Sequence, residues 1–256
     1  MNKWAFILGA SSGIGANTAV AFAEKGLNIY GIYLRKPASH IEKLVKTIQE
    51  FGVQVIYKKI NAANEESRIK VVKELNNIKN LNIKVFVHSL AFGALKPMIN
   101  NNLSNRLNQK NIEMTLDVMS NTLIYWTQNL FDNKLITSGT QIISMTSAGG
   151  QKQWGSYGAV SMAKAALESA TRQLAFELAP YKIACNAIQA GVTMTPSLEK
   201  IPGYKNMIKQ AQHSNPHKRI TTTKDIADAV VLLGLSENYW LTGNTIKVDG
   251  GESLTS

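Results

Sequence analysis

A short apolar run at residues 4–8 feeds directly into Gly9-Ala10-Ser11-Ser12-Gly13-Ile14-Gly15, and a helical stretch follows to about Lys25, where Gly26 closes it. This strand–turn–helix order constrains the fold more than any other feature. Glycines let a backbone approach a ligand closely. The start of a helix offers unpaired N–H groups and the positive end of its dipole, a combination suited to a pyrophosphate. A glycine turn without a ligand satisfies the same pattern; its place after the first strand makes it informative.

Strand and helix then alternate to the end of the chain. Residues 27–34 read as a second strand, and Ser39 with Glu42 forms a capping box for a helix to about Phe51. Residues 53–60 are strand three. A helix over about 64–78 carries Glu65 and Glu66 near its positive end. Strands at 83–88, 141–145, 182–188 and 244–248 are separated by helices over roughly 108–130, up to Leu178 before Pro180, and 225–235. Short apolar strands between amphipathic helices predict an α/β fold: a doubly wound, seven-stranded parallel sheet with helices on both faces. Its ligand belongs at the carboxyl ends of the strands. No repeat, linker or composition break interrupts the pattern, so a single domain over 1–256 is expected. The Pro-containing stretch 195–219 is its candidate substrate lid.

Composition narrows the function classes. Among 256 residues, 45% are hydrophobic and 18% charged, enough apolar material for a sizeable core. The single Cys185 sits in an apolar run, which argues for packing in a reduced, cytoplasmic setting without disulfides or a thiolate metal site. The run after Lys3 is short and enters a glycine turn, so it reads as a buried strand, not a signal peptide. No apolar run reaches the about 18 residues that span a membrane. The formal charge is +11, but the lysines are scattered without a dense run or an aromatic stripe, which argues against nucleic acid as the partner. Lys205, Lys209, Lys218 and Arg219 border the presumed site mouth and could receive an acidic carrier, or be solvated charge only. His213 and His217 share i, i+4 spacing, but Pro216 between them disfavours a helix and no third ligand is near, so no metal site is expected.

Two features point to chemistry. Tyr157 and Lys164 lie seven residues apart, nearly on one helical face. The ammonium can favour ionised phenol and hold a cofactor ribose, while the phenol donates a proton. On an ordinary helix they would be only a surface pair. The tip of strand two, Ile32-Tyr33-Leu34-Arg35-Lys36, has no acid to bond the ribose 2′-OH of NAD. Arg35 can pair bidentately with a phosphate and Lys36 adds charge, which favours NADP(H) and leaves NAD(H) the weaker reading; the two could also be solvated loop cations only.

Gly-x3-Gly-x-Gly, the Tyr/Lys helix after strand five and Lys247-Val248-Asp249-Gly250-Gly251 resemble the short-chain dehydrogenase/reductase family over essentially the whole chain. The second half is similar to its enoyl-acyl-carrier-protein reductases. His88-Ser89-Leu90-Ala91-Phe92 matches their His-Ser-Ile-Gly-Phe, Tyr157-x6-Lys164 replaces the usual Tyr-x3-Lys with Val160 at the ordinary Tyr position, and Asn186-Ala187-Ile188-Gln189-Ala190-Gly191 matches Asn-Ala-Ile-Ser-Ala-Gly. The resemblance implies a Rossmann fold and a homotetramer with long helices packed together. It also implies an NADPH-dependent reduction of an enoyl thioester, carried by acyl carrier protein or CoA, in fatty-acid synthesis. By it, Gly9, Ser11, Ser12, Gly13, Ile14, Gly15, Arg35, Asn61, Ala62, Ser89, Leu90 and Ala91 would bind the cofactor. Ala190, Gly191, Val192 and Thr193 would line the nicotinamide carboxamide, Thr195 would hydrogen-bond the cofactor, and Lys164 would bind the ribose and lower the phenol pKa. Tyr157 would stabilise the enolate oxygen, and Phe92, Gly93, Val160, Tyr204 and Met207 would contact the substrate, core packing being the other use of the apolar ones. The shifted Tyr fits such a reaction. Charge collects on an oxygen two bonds beyond where it would in carbonyl reduction, and three helical residues move the phenol by about 4.5 Å.

Departures leave other readings open. Ser147 stands where many enoyl reductases have a second Tyr and where ordinary family members place a catalytic Ser, and Met119 replaces their relay Asn. The glycine turn has the ordinary short form. This mixture resembles an NADPH-using branch of the enoyl reductases. Ser147 also supports a 3-oxoacyl or other carbonyl reductase, which the missing Tyr at Val160 opposes. A non-catalytic NADP-binding regulator is compatible with Met119.

Overall fold

The computed structural model describes residues 2–255. Seven parallel strands form one sheet in the order β3-β2-β1-β4-β5-β6-β7. They are β1 Asn2–Leu8, β2 Asn28–Tyr33, β3 Val55–Lys59, β4 Leu81–His88, β5 Gln141–Ser147, β6 Ala184–Ala190 and β7 Thr245–Val248. The helices are α1 Gly13–Glu24, α2 Ala38–Gln49, α3 Glu65–Asn76, α4 Gln109–Leu116, α5 Thr122–Asp132, α6 Gly158–Leu178, α7 Tyr204–Ser214 and α8 Thr223–Gly234. This is the doubly wound Rossmann class that the alternation predicts.

The period of a strand builds two cores from one sequence. On β1, Trp4, Phe6 and Leu8 face α3, α5 and α6, where Leu75, Trp126, Leu130 and Leu167 are buried with them. Ala5 and Ile7 face the other way, onto Phe22 and Ala23 of α1 and Ile226 and Val230 of α8. The Phe6 and Trp126 rings lie 5.1 Å apart. Burying each such side chain contributes about 2 kcal/mol. Cys185 is a buried packing residue whose thiol is pushed up by burial. Among the described residues, no helix is long and apolar enough to cross a membrane.

Three local expectations are corrected. Ser39 and Glu42 make no capping box: Pro37 is the extended N-cap residue (φ −66°, ψ 156°) and α2 begins at Ala38, so Ser39 lies inside the first turn. Capping boxes form instead at Asn108 with Asn111 and at Thr222 with Asp225. The expected helix over 108–130 is present as one continuous stretch but is not a plain α-helix: a π turn at Asp117–Asn121 joins α4 to α5. Finally, α6 starts at Gly158. Tyr157 is its N-cap residue with φ −104° and ψ 0°, so the axial spacing of two helical residues does not describe its position.

Candidate active site

A cavity of about 620 Å³ runs along the carboxyl ends of the strands from β3 to β6. It forms there because the chain leaves β1 toward β2 and returns on the other side to β4, so the loops diverge above β1.

The glycine turn forms its floor. Ser12, the N-cap of α1, is extended and its side chain caps nothing, so the first N–H groups of α1 are not taken by a side chain. Gly13 has φ +55°, and a Cβ there would stand 3.3 Å from Thr195 Cγ2 across the cleft. The missing side chain keeps open a channel lined by free N–H donors, a fit for a dinucleotide pyrophosphate. Gly15 is not part of the cavity wall; its missing Cβ lets α1 approach the Gly9 carbonyl. Two residues unread in the sequence fix the turn from outside. His40 Nε2 donates to Ser11 O at 2.8 Å, and the Tyr57 hydroxyl donates to Ala10 O at 3.3 Å.

At one end, beyond β2 and β3, stand Arg35, Asn61 and Ala62. The Arg35 guanidinium carbon lies 3.3 Å from the centroid of the Phe92 ring. Asn61 Oδ1 accepts the Ala63 N–H, and the Ala62 carbonyl accepts the Trp126 indole N–H.

At the other end, β5 and α6 bring Ser147, Tyr157 and Lys164 to the cavity. Tyr157 is buried beside Trp154, whose ring meets it edge-on at 6.0 Å. Burial pushes the phenol up; Ser147 opposes that rise, yet Ser147 Oγ is left without a well-formed hydrogen bond. Lys164 Nζ donates to Met145 O at 2.6 Å. Burial drives this ammonium down to about 8, and Glu168 opposes the fall. In this geometry burial dominates the Tyr157 phenol, which is raised and not lowered. Behind them, His88 is wholly buried. Thr122 spends its proton on Val118 O, so His88 Nε2 is the donor to Thr122 Oγ1 at 2.8 Å and Nδ1 is left unpartnered. Burial first, then the Lys164 charge, hold this imidazole neutral, down to about 3.

After β6, Ala190, Gly191, Val192, Thr193 and Thr195 form the far wall. The Val192 N–H is given to Glu252 Oε2 at 3.1 Å. Glu252 is a wall residue from the end of the chain, and burial raises its carboxyl. Beside Tyr157 an apolar cluster joins Met119, Val160, Ala163, Leu198 and Ile201, with Trp154, Tyr204 and Met207 packed against it. Leu198 precedes α7 in the 195–219 stretch, so that stretch roofs the cluster. Ser11, Ser12, Ile14, Ser89, Leu90, Ala91, Gly93, Val160 and Met207 also line the cavity. Tyr204 packs on the cluster without reaching the wall. Ile201 lies in the stretch read in the sequence as a substrate-binding loop; Trp154, Leu198 and Glu252 were missed, because no local pattern marks them as wall residues.

A pyrophosphate cradle next to a buried Tyr–Lys pair defines an NAD(P)H-dependent oxidoreductase of the short-chain dehydrogenase/reductase type. Residues 9–253 match the enoyl-(acyl carrier protein) reductase family, and the chain belongs to it. It is 28% identical over 253 residues to the 1-cyclohexenylcarbonyl-CoA reductase of Streptomyces collinus, covering 98% of this chain and 86% of that protein. It is 27% identical to the enoyl-acyl-carrier-protein reductase (NADH) of Enterococcus faecalis, covering 99% and 98%. The crystal structure of the Aquifex aeolicus enoyl-acyl-carrier-protein reductase (NADH) superposes with a TM-score of 0.85 at 24% identity, over 98% of this chain and 96% of that one.

Proposed function

We propose that the protein reduces the carbon–carbon double bond of an enoyl thioester with NADPH, in fatty-acid synthesis. The observation that carries this reading is the buried Tyr157, set between the cofactor cradle and the apolar cluster of Met119, Val160, Leu198 and Ile201. The cluster suits an acyl chain. Tyr157 directs its phenol at the thioester oxygen and hydrogen-bonds it as negative charge collects there. Its raised pKa keeps the proton on the phenol at neutral pH. Lys164 holds the nicotinamide ribose. The turn at Gly9, Ser11, Ser12, Gly13 and Ile14 holds the pyrophosphate, with Gly15 letting α1 pack close behind it, and Ser89, Leu90, Ala91, Asn61 and Ala62 hold the adenosine. When bound, the cofactor would supply hydride to the β-carbon, and a proton, from the phenol through the thioester oxygen or from solvent, would complete the saturation at the α-carbon. Val192 and its neighbours would meet the carboxamide, for which the Val192 N–H would have to leave Glu252. The 195–219 stretch is the lid over the acyl chain, in a single domain spanning the chain. The NADPH preference is supported by Arg35 and by the lack of an acid at the end of β2. Both named relatives are reductases of conjugated thioester-type acyl groups by their names, one on CoA and one on acyl carrier protein. The test is crotonyl-CoA, then a longer enoyl thioester, with NADPH and with NADH. Absence of turnover by the wild-type protein removes the proposal.

A second reading, reduction of a 3-oxoacyl thioester or other ketone, is favoured by Ser147 Oγ, which lies beside Tyr157 without a partner. Assaying acetoacetyl-CoA in parallel separates the two. The protein would act in the cytoplasm as a homotetramer. Support for assembly is the exposure of Phe176 (78%), Leu232 (77%) and Trp240 (85%) around the sheet edge at β7.

A further inference from the structure

We propose that Phe92 is a cofactor-specificity residue: its ring is the shelf that holds the Arg35 guanidinium where a 2′-phosphate on the adenosine ribose arrives. The inference rests on the NADPH reading above. Arg35 follows β2 and Phe92 follows β4, and β1 with its glycine turn lies between those strands. Neighbouring strands are about 4.8 Å apart, so the two side chains meet across roughly 10 Å of crevice. At 3.3 Å from the ring centroid, the cation rests on the face of the ring.

This stack occupies only the flat face of the guanidinium. Among the described residues Arg35 has no hydrogen bond or ion pair, so the N–H fork along its edge is uncommitted. That fork matches phosphate geometry bidentately. An exposed Arg without a support loses rotamer freedom when it grips a ligand; a ring that already orders it reduces that loss. A cofactor without the 2′-phosphate gains nothing from the arrangement, so the shelf acts on discrimination and not on dinucleotide binding in general. Phe92 is also absent from the apolar cluster around Tyr157, and one face of its ring is taken by Arg35. This assigns it to the adenosine end of the cavity and away from the acyl end.

Calorimetric binding of NADP+ and NAD+ to the wild type, Arg35→Gln, Phe92→Leu, Phe92→Tyr and the Arg35→Gln/Phe92→Leu double variant tests this. Arg35→Gln is expected to weaken NADP+ about tenfold or more. Phe92→Leu is expected to weaken NADP+ about two- to fivefold while leaving NAD+ within about twofold. Phe92→Tyr, which keeps the ring, retains wild-type preference. The double variant binds NADP+ no more weakly than Arg35→Gln alone, because the ring acts only through the cation. Equal losses of both cofactors in Phe92→Leu, or additive losses in the double variant, overturn the inference. If Phe92→Leu does not fold, Phe92→Met takes its place with the same expectations. A wild type that prefers NADP+, with the preference lost in Arg35→Gln but intact in Phe92→Leu, sinks the inference alone. A wild type that binds both cofactors equally sinks the NADPH reading first and this one with it.

Discussion

Tyr157 and Lys164 share one burial environment, and its effect on each is opposite in sign. The phenol is pushed up and holds its proton, while the ammonium is pushed down to about 8 and begins to lose its own in mildly alkaline solution. For the proposed reaction, Tyr157→Phe therefore removes the donor to the thioester oxygen. Turnover with an enoyl thioester should fall by about 10²–10³ while cofactor KM stays near wild type, read by steady-state kinetics. Ser147→Ala is expected to leave enoyl reduction within about threefold, since its Oγ is not firmly bonded to the phenol; a ketone reductase would lose far more. Lys164 also bears on stability. A folded pKa of about 8 against 10.5 in the unfolded chain means that the unfolded state holds more protons between those values. Burial of the charge thus destabilises the fold by about 3 kcal/mol below pH 8, and the penalty disappears as pH rises toward 10.5. Lys164→Met should raise stability at neutral pH by about 1–3 kcal/mol, less whatever the bond to Met145 O contributes, and abolish most turnover. Denaturant titrations at neutral pH and near pH 10.5 check the sign: a gain that grows with pH would contradict it.

At the level of the element, the π turn at Asp117–Asn121 decides how the site is backed. It delivers Thr122 to His88, and the hydroxyl serves at once as acceptor for the imidazole and donor to Val118 O. Thr122→Val keeps the shape and removes both bonds, leaving a second unpaired nitrogen on a buried ring. It should destabilise the protein by about 1–3 kcal/mol in urea unfolding, while Thr122→Ser stays within about 1 kcal/mol. That feature was not legible beforehand, because a single π turn leaves the whole stretch over 108–130 helical and carries no composition signal of its own. The strands were legible, because runs such as Trp4 to Leu8 are buried on both faces and leave few alternatives. Residues at strand ends were legible for the same reason: once β1, β2, β4, β5 and β6 are placed, Gly13, Arg35, Ser89, Ser147 and Gly191 must share one edge of the sheet. What escaped was set by chain entry and by distance. Pro37 displaced the Ser39 cap, Tyr157 fell just outside α6, and Glu252 reached Val192 from sixty residues away.

Across the whole molecule, the +11 charge and the apolar rim at β7 act in opposite directions on association. β7 is the end of the sheet, and its exposed Lys247 guards the strand against pairing with another edge. The large exposed side chains instead lie to either side of it. Phe176 is on α6, where Ala175 comes within 3.6 Å of a Cβ built at Gly243, and Leu232 is on α8. Trp240 stands on the loop that leads into β7. Self-association through these faces, with the strands side by side but unpaired, buries the aromatic groups without challenging the Lys. A tetramer with dihedral symmetry needs two different self-complementary faces; in the proposed assembly the 21-residue α6, with α5 beside it, would supply the second. Light scattering should accordingly find a tetramer for the wild type and a smaller species, a dimer, for the Phe176→Glu/Trp240→Glu variant, with an unchanged circular dichroism spectrum. Because the cavity is built within one chain, the dimer should keep cofactor affinity near wild type. A wild type that elutes as a monomer, or a variant that remains tetrameric, would mean that the β7 rim is not an assembly face.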